Sequence, residues 1–169
     1  MQVREKHLSA RELCRLVEAA MVLPRKGSAR LLVNERVDVA LACGADGVHL
    51  PADSLPPAAV RALLPSGMLL GVSCHSAAEV QAAAGAGASF AVLGPVFATP
   101  GKGPPIGIEA LREARGRVAA RGFPVLALGG VTLENSAACL AAGAAGLAAI
   151  RLFQRPDVAQ VAARLRSLA

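Results

Sequence analysis

The chain is 169 residues long and 54% hydrophobic, with a mean hydropathy of +0.48. That suits one domain of ordinary size with a sizeable core and excludes global disorder. Aromatic residues are 2% of the chain, with no Tyr and no Trp, which excludes a base-stacking platform for single-stranded nucleic acid. Lys and Arg total 18 against 12 Asp and Glu, a net charge of +6. The Arg residues are spread over several helical segments rather than gathered on one face, so anionic small molecules are the expected partners and nucleic acid is not. Cys14, Cys43, Cys74 and Cys139 are scattered with no Cys-x-x-Cys pair. This argues against zinc and against a disulfide framework, and points to a reducing, cytoplasmic setting. Arg4, Glu5 and Lys6 leave no room for a signal peptide at this start. The longest apolar run, Ala137–Ile150, is too short and too rich in Ala and Gly to span a bilayer, so no membrane partner is expected.

Short apolar runs alternate with longer Ala-rich segments. The first strand is predicted at Gln2–Glu5. Strand side chains two apart share a face, so Gln2, Arg4 and Lys6 point the same way and suit a phosphate or diphosphate. A helix follows at Ala10–Leu23 with Ser9 as its N-cap. Next come strand Leu31–Asn34, helix Val37–Cys43, strand Gly47–Leu50 and helix Pro57–Leu64, with Pro57 in the first helical position. His49 is expected to pack; His7 is expected at the surface. Strand Leu69–Ser73 carries Ser73 at its end, and His75 lies on the same face two residues on. A histidine there can transfer a proton near neutral pH or serve as a hydrogen-bonded structural residue, and both readings stand at this point.

Ser76 caps a helix at Ala77–Ala84. Strand Phe90–Gly94 runs into a Pro/Gly loop, Gly94–Pro105, whose strong polar groups are Thr99 and Lys102, both suited to phosphate. Helix Glu109–Arg121 and strand Val125–Leu128 follow. Gly129 and Gly130, with Thr132 capping a helix at Leu133–Ala141, offer backbone N–H groups to an anion at a helix N-terminus. Strand Leu147–Ile150 and helix Pro156–Leu168 complete the chain.

The sequence Gly-Ala-x-x-apolar recurs at Gly44, Gly87 and Gly143, each time between an Ala-rich helix and a strand. Glycine suits a helix end that must turn left-handed, so one βα unit is repeated. Seven strands and seven helices are one unit short of a (β/α)8 barrel. The expectation is therefore a single barrel domain over residues 1–169 with its first βα unit missing, N-terminally incomplete. Such barrels carry their sites at the C-terminal ends of the strands, often with a phosphate after the last two.

Together these segments resemble the thiamine phosphate synthase/TenI family. Gln2-Val3-Arg4-Glu5-Lys6 is similar to its Gln-x-Arg-x-Lys strand, and Asn34-Glu35-Arg36-Val37-Asp38-Val39-Ala40 to its Asn-Asp-Arg-x-Asp-x-Ala segment. Gly44–Leu50, Gly71–Ser76, Leu93–Lys102 and Ala127–Asn135 follow in the family's order. The resemblance implies a (β/α)8 barrel, phosphorylated thiazole and pyrimidine ligands, and a homo-oligomer. It implies that Gln2, Arg4, Lys6, Asn34, Ser73 and Lys102 hold a pyrimidine diphosphate. Thr99, Gly129, Gly130 and the backbone at Ile150 and Arg151 would hold a thiazole phosphate. The synthase joins the two and releases pyrophosphate with Mg²⁺; its metal positions fall on Glu35 and Ser54, where Ser54 is a poor neutral substitute. Cys74-His75-Ser76 and Ala148–Phe153 look more like the TenI branch. Some members of that branch are thiazole tautomerases, in which the histidine at His75 is the acid/base and no cofactor is needed. A tautomerase is the leading expectation, a synthase the alternative, and an inactive or regulatory ligand-binding relative the third.

Overall fold

The computed structural model describes residues 1–24 and 29–168. In chain order the elements are β1 (Gln2–Val3), α1 (Ala10–Met21), β2 (Leu32–Asn34), α2 (Val37–Ala42), β3 (Gly47–Leu50), α3 (Pro57–Leu63) and β4 (Leu69–Cys74). There follow α4 (Ala77–Gly85), β5 (Phe90–Leu93), α5 (Gly107–Val118), β6 (Val125–Leu128), α6 (Ser136–Ala141), β7 (Gly146–Ala148) and α7 (Val158–Arg166). The seven strands lie in the sheet in the order of the sequence, and the ladders β1–β2, β2–β3, β3–β4, β5–β6 and β6–β7 are parallel. A helix between successive parallel strands is what such connections require. β1 and β7 end the order and are not paired to each other among the described residues.

The chain forms two compact units: Met1–Val72 with Ala86–Ser89, and Ser73–Gly85 with Phe90–Ala169. In the first unit, β3 is buried throughout and Val17, Val33, Val39, Val48 and Val60 form the core. In the second, Val80, Leu93, Leu111, Ala114, Val118 and Val125 do so. Alanine and valine suffice because helices of small residues can lie close to a sheet.

The repeated junction works as its glycines predict. Gly44, Gly87 and Gly143 have φ of 61°, 83° and 93°, the left-handed conformation that costs a side chain about 1–2 kcal/mol. Ala45 N–H reaches back to Ala40 O at 3.0 Å and Ala144 N–H to Cys139 O at 3.1 Å, closing the helix ends. The next residue then ties the junction to a neighbouring strand's start: Asp46 N–H to Leu31 O, Ser89 N–H to Leu70 O and Ala145 N–H to Val125 O, at 3.0, 2.7 and 2.8 Å. Where that residue is polar the bond is returned. The Asp46 carboxylate accepts from Leu31 N–H at 2.8 Å, and Ser89 Oγ accepts from Leu70 N–H at 3.0 Å.

At helix starts, Ser9 and Glu12 form a reciprocal capping box on α1. Ser76 Oγ accepts from Glu79 N–H at 3.2 Å, and α3 opens on Pro57.

Most element boundaries shift by one to three residues from expectation, and four of these shifts matter here. β1 stops at Val3, not Glu5, because β2 supplies only Leu32 and Val33 as partners and then turns at Glu35, φ 62°. Arg4 and Lys6 therefore lie beyond the ladder, and strand alternation does not orient them. β7 stops at Ala148, opposite Leu128, the last residue of β6. Ile150, 59% exposed, leads into a 3-10 turn at Arg151–Phe153. α6 starts at Ser136 rather than Leu133, and its N-cap is Asn135, not Thr132. The cause is the Asn135 side chain, which bonds backward to Thr132 N–H and Gly130 O. Finally, α5 ends at Val118 and tightens into a 3-10 turn over Ala119–Arg121.

The two kinds of glycine at the Gly44 junction separate experimentally. A Cβ on Gly44 meets nothing within 4 Å, whereas one on Gly47 would sit 2.5 Å from Leu69 O. Gly44→Ala is expected to cost about 1–2 kcal/mol and Gly47→Ala about 3 kcal/mol or more through forced strand separation. Urea unfolding of both variants checks the order.

Candidate active site

In the first unit, the parallel register sets Gln2 opposite Leu32, and Asn34 opposite His49 and His49 opposite Gly71. Gln2 and Asn34 share a face, and Gln2 Nε2 donates to Asn34 Oδ1 at 2.7 Å. Beyond the strand ends a cleft of about 220 Å³ is lined by Glu5, Lys6, Leu8, Asn34, Glu35 and Arg36. It brings Lys6, Asn34 and Glu35 together; Arg4 is exposed and not part of the lining. Arg36 was not foreseen. Its guanidinium donates to both Asp38 carboxylate oxygens at 2.9 and 2.6 Å, which raises the Arg36 pKa and lowers that of Asp38. The signal was present as Arg36-x-Asp38 in the segment after Asn34. A larger cavity, about 340 Å³, involves Arg30, Asp46, Gly67 and Met68 at the N-terminal ends of β3 and β4. It contains no expected site residue, and ligands of parallel sheets bind at the other end.

Glu35 is exposed at its left-handed turn, with its N–H donating to His49 O at 2.8 Å. Ser54 is half-buried in the loop after β3 and donates its N–H to Pro51 O at 3.2 Å. The pair offers one carboxylate and one neutral hydroxyl. Among the described residues no three His, Cys, Asp or Glu side chains gather into a metal-holding group. These donors do not make the two-carboxylate set for Mg²⁺, although the exposed Asp53 is adjacent.

In the second unit, His75 follows β4 directly. Its Nδ1 lies 2.6 Å from Gly94 O. A carbonyl only accepts, so it assigns the proton to Nδ1 and leaves the lone pair of the neutral ring on Nε2. The backbone around it is fixed: His75 N–H donates to the Glu79 carboxylate at 2.7 Å, and Gly94 N–H donates to Cys74 O at 3.0 Å. His75 is exposed and Ser73 half-buried.

The loop after β5 extends the ladder, with Val96 N–H to Leu128 O at 2.8 Å and Phe97 N–H to Gly129 O at 3.0 Å. Its far end returns through Ile106 N–H to Pro95 O and Gly107 N–H to Val96 O. Within it Thr99 Oγ1 donates to Phe97 O at 3.0 Å, and Lys102 is exposed. The close crossing explains Gly129 and Gly130 on structural grounds alone. A Cβ on Gly129 would lie 2.5 Å from Pro95 Cα, and one on Gly130, φ 60°, 2.7 Å from Ala98 O. Gly130 and Ile150 each lie two residues past the Leu128–Ala148 pair. Among the described residues, the N–H groups of Gly130, Val131, Ile150 and Arg151 donate to no protein acceptor. The expected helix N-terminus at Thr132 is absent: α6 begins later and has six residues. Thr132 N–H is taken by Asn135 Oδ1 at 2.8 Å. Exposed backbone N–H groups, not a helix dipole, are what this end offers an anion.

A parallel sheet of βα units with polar groups and open N–H donors at strand C-termini is the arrangement found in barrel-type enzymes that hold phosphorylated ligands. The model of the thiamine monophosphate synthase family matches residues 1–153. The chain is 46% identical over 172 residues to a Geobacter sulfurreducens protein provisionally named a thiamine-phosphate synthase, covering 99% of this chain and 79% of that one. It is 42% identical over 170 residues to the thiamine-phosphate synthase of Methanoculleus marisnigri, covering 98% and 79%. The solved thiamine phosphate pyrophosphorylase of Pyrococcus furiosus superposes with a TM-score of 0.84 at 32% identity, over 99% of this chain and 80% of that one. The chain belongs to the thiamine monophosphate synthase family, and its seven βα units are of the (β/α)8 barrel type. Among the described residues no helix is long and apolar enough to cross a membrane.

His49 is 7% exposed, and burial pushes its pKa down to about 4. Unfolded, it titrates near 6.5. The folded state therefore resists protonation, and His49 costs no stability above pH 6.5. As pH falls from 6.5 to 4 stability drops by up to about 1.4 kcal/mol per pH unit, about 3 kcal/mol in all. Urea unfolding across that range is expected to show the slope in the wild type and a shallower one in His49→Gln.

Proposed function

We propose that this member of the family is a thiazole tautomerase: it binds a phosphorylated thiazole and moves a proton on the ring, with His75 as both base and acid. The supporting observation is the Gly94 carbonyl on His75 Nδ1. With Nδ1 holding a proton, Nε2 is the basic atom. It takes a proton from one ring position and becomes N–H, and the Nδ1–H bond to Gly94 O steadies the imidazolium. The same Nε2–H then returns the proton to a second ring position, so no co-reactant is consumed. In this reading the phosphate sits on the N–H groups of Gly130, Ile150 and Arg151, with Thr99 beside them. Substrate is thereby positioned by backbone donors that need no ionisation.

A second reading, synthase activity, is favoured by the presence of Gln2, Arg4, Lys6, Asn34, Ser73 and Lys102 and by the names of the relatives. In that reading Gln2, Arg4, Lys6 and Asn34, all of the first unit, hold a pyrimidine diphosphate. The Glu35 and Ser54 donor set weighs against it, and no step is drawn through the metal.

His75→Asn is expected to slow ring-proton exchange by about 10²–10⁴-fold while leaving thiazole phosphate affinity nearly intact. Exchange followed by NMR in D₂O, with affinity by calorimetry, reads both; unchanged exchange would end the tautomerase reading. Ser54→Asp is the complementary variant, assayed for Mg²⁺-dependent pyrophosphate release. Absent or weak release in the wild type, raised by the substitution, is expected. Release already present and not raised would put the synthase reading in its place.

A further inference from the structure

The four cysteines fall into two classes. Cys74 and Cys139 are buried, at 1% and 0% exposure, and burial pushes Cys74 up to about 12. Cys14, in the second turn of α1, and Cys43, the residue that ends α2, are both partly exposed. They lie together: Cys43 Sγ donates to Cys14 O at 3.8 Å. The Cys43 thiol is raised to about 11, first by burial and then by its hydrogen bond with the Cys14 thiol. Cys43 Sγ thus lies against Cys14, on a helix end and a helix that belong to one compact unit.

We propose that Cys14 and Cys43 form a reversible, oxidant-responsive disulfide that staples α1 to α2. A hydroperoxide is the class of oxidant. The Cys14 thiolate attacks its terminal oxygen, giving Cys14 sulfenic acid and an alcohol, or water when the oxidant is hydrogen peroxide. Cys43 sulfur then displaces hydroxide from Cys14 sulfur, and with its own proton this leaves as water. Two electrons pass from the two thiols to the O–O bond. Cys14 acts first because burial, and to a lesser degree the acidic Glu18, oppose ionisation of Cys43.

The staple has a place to act. Leu8, just before the α1 cap, and Arg36, the cap of α2, both line the 220 Å³ cleft. Tying α1 to α2 ties the two segments that form its walls. The inference is independent of which reaction the protein catalyses.

The test is peptide mapping of the whole protein after a short exposure to hydrogen peroxide, with and without later dithiothreitol. A linked Cys14–Cys43 peptide pair two hydrogens lighter is expected, with Cys74 and Cys139 still thiols. The melting temperature should rise by about 5–10 °C, as closing a loop of this length in the unfolded chain implies, and dithiothreitol should reverse it. Cys14→Ser and Cys43→Ala should each abolish the shift. Sulfinic or sulfonic acid at Cys14 without the linked pair, or links only between chains, would overturn the proposal.

Discussion

Gly94 has no space for a side chain, and the site is built around that fact. A Cβ there would overlap the Leu128 carbonyl. With hydrogen in its place, Gly94 N–H donates to Cys74 O, the next N–H, that of Val96, reaches Leu128 O, and the Gly94 carbonyl takes the His75 ring. Three successive peptides thus link the ends of β4, β5 and β6 and select which imidazole nitrogen is basic. Exchange of any of these bonds for water would free the ring to rotate. A histidine that is exposed, as His75 is, would otherwise have no reason to hold one tautomer.

The same crossing governs the end proposed to hold the phosphate. Loop 94–105 lies so close to the end of β6 that Gly129 and Gly130 must lack side chains, and Asn135 fastens the Gly130 carbonyl from below. The result is a backbone whose open N–H groups face no protein acceptor among the described residues. Packing and the proposed phosphate site therefore ask for the same glycines. Neither demand can be read from Gly-Gly alone. Charge is arranged with similar economy. Arg112 and Arg117 on α5 pair with Glu109 and Glu113, and Arg155 pairs with Asp157. These exposed pairs are screened by solvent and contribute little to stability, and their arginines belong to the solvated helix surface.

The fold was largely legible in the sequence because its signals are local. Gly44, Gly87 and Gly143 mark helix ends by backbone sterics, Ser9 and Ser76 mark starts by hydrogen bonding, and the apolar runs mark the strands, of which β3 is buried on both faces. Strand ends were less legible because a strand stops where its neighbour stops. Val3 is the end of β1 because of Glu35, and Ala148 is the end of β7 because of Leu128, both far away in sequence. The start of α6 was missed because Asn135 was read as helix interior, although a side chain that bonds its own upstream backbone competes with helix. At the site, His75 was visible from its position after a strand. Its Gly94 partner, and hence its tautomer, depends on how β4 and β5 lie side by side. Arg36 went unremarked because its role comes from the turn at Glu35, a left-handed residue that is not glycine.

The most direct measurement of the central claim is the protonation state of the His75 ring, by nitrogen-15 NMR of protein labelled at histidine and held above the ring's pKa. The bond to Gly94 requires a protonated Nδ1 and an Nε2 with the shift of a bare imidazole nitrogen. A ring protonated at Nε2, or a fast average of the two tautomers, would contradict the account.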